Sequence, residues 1–270
     1  MLGGKKLGFI GAGNMGDALI RGLLASKLVK AGDLLAFDAA GSRLEHLRST
    51  HGVAAAVSNR DLAESCDVVV LCVKPQVVDD VLDDLEDAPR QHLLISICAG
   101  ITLEHLETAL PMQPVVRVMP NTPALIGEGA SALAKGMHAT VEHLAIARAI
   151  FDAVGRTVVV EEKLMDAVTG LSGSGPAYVF VIIEALADAG VNLGLPRPQA
   201  QELAAQTLVG AARMALAGTA GLSDLKAMVT SPGGTTIRGL QVLERAGLRG
   251  ILMDAVEAAA KRSRKLGKKK

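Results

Sequence analysis

The chain has no tryptophan, a single tyrosine (Tyr178) and four phenylalanines among 270 residues. With aromatics at 2%, it lacks the stacking platforms on which proteins hold single-stranded nucleic acid. Cysteine is scarce too. Cys66, Cys72 and Cys98 are odd in number and lack metal-ligand spacing, which fits a reduced, cytoplasmic setting and excludes a disulfide framework. No early apolar segment resembles a signal peptide. No apolar run approaches the ~20 residues of a membrane span; the best, 177–183, stops at Glu184. The six histidines (His46, His51, His92, His105, His138, His143) are scattered and read as surface or packing residues, so no metal site is expected. Net charge is absent as well, at 28 basic against 28 acidic residues. The balance hides an asymmetry: positions 261–270 carry seven Lys/Arg, leaving the body net acidic by seven. Such a tail reads as a solvated helix end favoured by the helix dipole, with no nucleic-acid partner.

Apolar residues are abundant, at 50%. A chain of this length forms one or two domains and buries roughly three quarters of its unfolded surface. The first 160 residues alternate β-rich runs with helical patterns. Strands are expected at 7–10, 34–37, 68–73, 93–97, 115–118 and 157–160, and helices at 15–24, 43–49, 77–85 and 102–110. Repeated βα units predict an α/β fold with a doubly wound sheet and helices on both faces. After Glu162 the strand signals vanish. Ala/Leu-rich helical patterns at 177–190, 198–217 and 250–260 carry apolar residues around much of their circumference. Such helices must be buried, and about a hundred residues are too few to cover each other, so a partner subunit is expected there.

Five stretches and one aspartate carry the chemistry. Gly11-Ala12-Gly13-Asn14-Met15-Gly16 follows a strand and opens a helix, the context a dinucleotide-binding GxGxxG requires. Gly11 allows the tight turn, Gly13 lets a pyrophosphate approach, and Gly16 permits close helix–strand packing, with the N–H groups of Asn14 and Met15 beneath the phosphates. Asp38 ends the second strand, where an acidic residue bonds the ribose 2′-hydroxyl of NAD. It can equally cap the next helix, while Ser42 and Arg43 can hold a 2′-phosphate if it turns away. Val73-Lys74-Pro75, Cys98-Ala99-Gly100 and Pro120-Asn121-Thr122-Pro123 each follow a strand at the carboxyl edge of the sheet, where a nicotinamide pocket would lie. Lys74 also fits an ordinary exposed lysine. Ser231-Pro232-Gly233-Gly234-Thr235-Thr236 precedes an amphipathic helix and reads either as a small anion site suited to a carboxylate or as a plain loop and cap. No Ser/His/Asp set or carboxylate pair is evident, as befits hydride transfer, in which the cofactor carries the chemistry.

Over nearly its whole length the chain resembles the pyrroline-5-carboxylate reductases. The resemblance rests on residues 9–16, 73–75, 119–123, 170–178 and 225–236, of which the last two are the most specific. It implies a Rossmann-type domain over 1–161, an all-helical dimerisation and substrate domain over 162–270, and a homodimer able to form rings of dimers. It implies NADPH or NADH as cofactor, bound by Gly11 to Gly16, Asp38, Asn59, Val73, Lys74, Pro75, Ala99 and Asn121. It implies that Ser231, Gly233, Gly234, Thr235 and Thr236 hold the substrate, with Glu162 bordering it and Thr236 bonding the ring nitrogen. Cys72 and Cys98 stand where many relatives have alanine. A hydroxy-acid dehydrogenase is the rival enzyme, but Lys163 and Lys226, the lysines of the helical half outside the tail, lack supporting context. A nucleotide-sensing protein without turnover is the rival of another class.

Overall fold

In the structure, a computed structural model, residues 2–86, 88 and 92–267 are described. They group into two units, residues 1–174 with 259–270, and residues 175–258.

Eight strands of the first unit form one sheet: β1 (Leu7–Ile10), β2 (Leu34–Phe37), β3 (Ala54–Ala55), β4 (Val68–Leu71), β5 (Leu93–Ser96), β6 (Val115–Met119), β7 (Gly129–Lys135) and β8 (Gly155–Val159). The spatial order is β3-β2-β1-β4-β5-β6-β7-β8. β1 to β6 pair in parallel, β7 runs antiparallel to β6, and β8 is parallel to β7. Strand order reverses between β1 and β4, so a ligand crevice is expected outside their carboxyl ends. Helices α1 (Asn14–Ala25), α2 (Gly41–His51), α3 (Asn59–Ser65), α4 (Val78–Glu86), α5 (Leu103–Ala109), α6 (Val141–Asp152) and α7 (Met165–Val168) complete this unit.

The continuous apolar run of β4 shows why both faces must be covered. Val68 and Val70 pack into one core with Phe9, Leu19 and Phe151, while Val69 and Leu71 pack into a second with Leu62, Leu82 and Leu106. Period-two alternation thus feeds two hydrophobic layers from one strand. The doubly wound fold agrees with the pattern of the sequence. Two strands and three helices are not evident there: β3 is two residues long, β7 is alanine-rich with little β-propensity, α3 and α7 are too short to show a period, and in α6 Leu144, Ala145 and Ala149 blur the buried stripe of Ile146, Ala147, Ile150 and Phe151.

The second unit is helical: α8 (Gly175–Asn192), α9 (Arg197–Ala217), α10 (Leu222–Met228), α11 (Thr235–Arg245) and the start of α12 (Leu248–Gly267). Its hydrophobic cluster holds three buried residues, Ala187, Ala200 and Ala204. Phe180, Val181, Leu203, Leu216, Val242 and Met253 remain exposed.

Two expectations change here. By length and composition the helical stretch Glu162–Asn192 could cross a membrane, although no uninterrupted apolar run does; Ala and Gly keep it apolar around Glu184 and Asp188. Within the chain only 11% of its most apolar window is buried. The basic tail is not wholly a solvated end either. Ser263 on α12 is buried and donates to Asp166 Oδ1 at 2.7 Å, and Arg264 stands 3.6 Å from the other oxygen. Lys268, Lys269 and Lys270 of that tail lie outside the described residues.

Phe151 of α6 is fully buried. Phe151→Ala removes a ring from a closed core and should cost ~3–5 kcal/mol, seen as a lowered urea midpoint. An unchanged midpoint would show that this layer does not support the sheet.

Candidate active site

The turn from β1 into α1 is built by three glycines with three different constraints. Gly11 has φ +98° and donates its N–H to Phe37 O at 2.8 Å. A Cβ there would stand 2.7 Å from Cys72 O, and one at Gly16 would stand 2.5 Å from Gly11 O. These two glycines are dictated by packing. Gly13 is different: apart from Arg43 Nη1 at 4.0 Å, nothing lies near the position of its missing Cβ. Gly13 is also the N-cap of α1 and supplies no side-chain cap. The N–H groups of Asn14, Met15 and Gly16 therefore point out of the helix unpaired within it, at the positive end of its dipole. Space and donors together suit a pyrophosphate.

Asp38 sits beside this turn with its carboxylate engaged three ways. Oδ2 accepts from Ala12 N–H at 2.8 Å and from Arg43 Nη1 at 3.1 Å, and Oδ1 accepts from Ala40 N–H at 2.8 Å. Burial raises its pKa, but the N–H groups of Ala40 and Ala12 and the Arg43 guanidinium outweigh burial and hold it below the ordinary 3.8. A depressed carboxylate stabilises the fold at pH above 3.8, and that support fades as the pH falls through the lowered native value. Asp38 thus clasps the glycine turn to the start of α2, and Arg43 is drawn to the same place.

Asn59, the first residue of α3, is buried. Its Nδ2 donates to Asp84 Oδ2 at 2.9 Å, while Oδ1 has no partner. A buried acceptor without a donor is costly, and flipping the amide would set its oxygen against a carboxylate.

The carboxyl ends of β4 and β5 bring Val73, Lys74, Pro75 and Ala99 to one edge. Lys74 is exposed and caps a single 3₁₀ turn, Pro75–Val77. Pro75, Gln76, Ala99, Gly100, Thr169 and Ser174 line a cavity of about 490 Å³. Burial disfavours the thiolate at Cys72 beside this edge and at Cys66 at the other end of β4. Burial pushes Cys66 up to about 11 and, with Cys98 nearby, raises Cys72 as well. Cys98 directs its S–H towards Val73 O at 3.4 Å. Asn121 has both ends of its amide in use, donating to Ser172 O at 3.1 Å and accepting from Ala130 N–H at 2.8 Å. It braces the loop after β6.

Glu162 lies elsewhere in the unit. Its Oε1 accepts from Leu103 N–H at 2.5 Å and from Arg117 Nη1 at 2.9 Å. Arg117 is buried within β6. The sequence does signal it, as a lone charge in the run Val-Val-Arg-Val-Met, but its partner is invisible without the fold. The same holds for Asp84 beneath Asn59.

In the second unit, α11 opens at Thr235 behind Gly234, again an N-cap without a side-chain cap. Gly233 has φ +70° with open space around its missing Cβ, and Gly234 donates its N–H to Ser231 O at 3.1 Å. Ser231, Gly233 and Thr235 are exposed, and Thr236 is half-buried. The fold thus presents this loop as an uncapped helix start with three hydroxyls, of Ser231, Thr235 and Thr236.

Residues 162–266 match the family model for pyrroline-5-carboxylate reductase dimerisation, and residues 6–100 match the model described as NADP oxidoreductase, coenzyme F420-dependent. A pyrroline-5-carboxylate reductase of Synechocystis is 46% identical over 264 residues, covering 98% of this chain and 99% of the relative. The chain belongs to the pyrroline-5-carboxylate reductase family. A Methanosarcina acetivorans member is 47% identical over 98% of the chain and 99% of its own length. A solved family structure from Coxiella burnetii superposes with TM-score 0.93 at 36% identity, covering 97% of this chain and 98% of its own. One from Plasmodium falciparum, with NADP bound, superposes with TM-score 0.86 at 35% identity and 98% coverage of both.

Gly13 separates folding from binding. Gly13→Ala should leave the melting temperature unchanged, because its Cβ meets only the end of Arg43, yet weaken NADPH binding at least tenfold. Gly16→Ala should lower the melting temperature. If Gly13→Ala binds NADPH like wild type, the open space at Gly13 is not a phosphate cradle.

Proposed function

We propose that this chain reduces 1-pyrroline-5-carboxylate to L-proline with NADPH or NADH, the last step of proline biosynthesis. One observation carries the proposal: two helices, α1 and α11, each open behind a glycine N-cap that leaves their first N–H groups uncapped. Each suits an anion, the first a pyrophosphate and the second a substrate carboxylate.

The nicotinamide, when bound, supplies the hydride that the imine carbon accepts. The residues of this chain do the rest. Asn14, Met15 and Gly16 receive the pyrophosphate on their N–H groups, and Gly13 leaves room for it. Asn59 Oδ1, lacking a donor, accepts one from an adenosine ribose hydroxyl. Asp38 holds Ala12 and Arg43 in place at the adenosine end, where Arg43 is the cation available to a 2′-phosphate. Val73, Lys74, Pro75 and Ala99 wall the nicotinamide side, and Asn121 acts there through the loop it braces. Ser231, Gly233, Gly234 and Thr235 hold the substrate carboxylate. The Thr236 hydroxyl bonds the ring nitrogen and orients the imine, whose proton comes from solvent. Of Glu162, which the family resemblance sets at the border of the substrate, Oε1 is tied to Leu103 and Arg117.

The functional division falls at 161/162. The second half forms a homodimer, with larger rings of dimers as its extension, in the cytoplasm. The exposed apolar faces of α8 and α9 support this, since a second copy can cover them where water cannot. The product-forming assay is loss of reduced-nicotinamide absorbance on adding 1-pyrroline-5-carboxylate. Binding of NADPH with no turnover would favour a nucleotide sensor. Turnover of hydroxy acids instead would favour the dehydrogenase rival.

Thr236→Ala should lower kcat/KM by roughly 10- to 100-fold, since a hydrogen bond to a charged group contributes ~1.5–3 kcal/mol, with NADPH affinity retained. Wild-type turnover in this variant would remove the hydroxyl from the mechanism. Phe180 is 65% exposed within one chain. Phe180→Asp should shift sedimentation at micromolar concentration from dimer or larger towards monomer and reduce activity in step; an unaltered assembly would place the interface elsewhere.

A further inference from the structure

The fold brings together three side chains that the sequence keeps apart. His51 Nε2 lies 3.0 Å from Asp17 Oδ1, and His46 Nε2 lies 3.6 Å from the same oxygen. The three donor atoms all lie within 4.8 Å of one another. We propose that Asp17, His46 and His51 bind one divalent transition-metal ion of the zinc class, pinning α1 to α2.

Donor spacing comes first. Zinc ligands at ~2.0–2.2 Å in a tetrahedral arrangement stand roughly 3.4 Å apart. The separations of 3.0 and 3.6 Å bracket that value. Two imidazoles and a carboxylate are also a donor set that zinc, cobalt, nickel and copper accept, and that calcium and magnesium do not favour.

Orientation is the second argument. The imidazole rings meet edge to face, with centroids 6.2 Å apart and planes at 83°, so both Nε2 atoms turn towards Asp17 instead of stacking. Thr50 Oγ1 lies 3.4 Å from His46 Nδ1. A proton held on Nδ1 by that contact leaves Nε2 as a lone-pair donor, as ligating histidines require.

Access and charge also fit. His51 and Asp17 are largely buried, with 13% and 22% of their side chains exposed, whereas His46 is 60% exposed and can swing to close the set. Arg21 Nη1 is the competing cation, 3.9 Å from the other oxygen of Asp17 and half exposed. Three protein ligands leave a fourth position for water. Asp17 lies in the first turn of α1 and His51 ends α2, so the ion would brace the helix that begins at the glycine turn.

The experiment uses the full chain without an affinity tag, stripped with chelator and titrated with Co²⁺ at neutral pH. The expected result is a visible ligand-field band saturating at one equivalent and displaced by Zn²⁺, together with a Zn²⁺-dependent rise in melting temperature. His46→Ala and His51→Ala should each weaken binding more than tenfold and abolish the thermal shift. Thr50→Val should weaken it about tenfold, the usual effect of losing an outer-shell partner. Should His51→Ala fail to fold, the exposed His46→Ala carries the test alone. No band in the wild type, a band unchanged in His46→Ala, or thiolate-to-cobalt charge transfer pointing to cysteine ligands would each overturn the assignment and leave His51–Asp17 as a hydrogen-bonded helix contact.

Discussion

Helices α1 and α11 each open behind a glycine that offers no side chain to cap them, and the proposed chemistry follows from that omission. Elsewhere a Ser or Thr oxygen satisfies an N–H group, as Ser58, Thr102 and Thr140 do for α3, α5 and α6. At Gly13 and Gly234 no such oxygen exists. The donors are left for something from outside the chain, and the glycines clear the space it enters. An anion gains several aligned dipoles there, joined at Gly13 by the nearby Arg43 guanidinium.

The remainder of the first unit fixes where those donors point. Gly11 must hug Cys72, Gly16 must hug Gly11, and the Asp38 carboxylate ties Ala12 to Ala40 and Arg43. Beneath them, β4 feeds apolar side chains into two cores, so the turn rests on a support packed from both sides. The helical unit obeys the opposite logic. It buries little of itself and leaves apolar residues such as Phe180, Val181 and Leu203 exposed, which is the ground for the proposed homodimer.

Much of this was legible in the sequence. The strand–glycine–helix order around 7–16 and the buried run at 68–71 announce a doubly wound sheet, because each depends on local periodicity. The loop at 231–236 is legible for the same reason. What escaped depends on distance along the chain. Asn59 meets Asp84, Glu162 meets Arg117, and His46 and His51 meet Asp17, pairs separated by 25 to 45 residues. Periodicity reports which face a residue occupies and says nothing about who stands opposite. β7 escaped for another reason: alanines and glycine carry too little β-preference, and it is pairing with β6 on one side and β8 on the other that makes it a strand.

The three thiols carry a consequence for life under oxidants. Peroxides and electrophiles react with thiolates. Burial pushes the Cys66 thiol up to about 11 and raises Cys72 as well, and Cys98 is buried with its S–H turned to a carbonyl. The thiols therefore offer oxidants little, whereas Met112, Met137, Met228 and Met253 stand exposed. Oxidative damage to this protein falls on methionine, as sulfoxides that reductases can reverse, and not on cysteine.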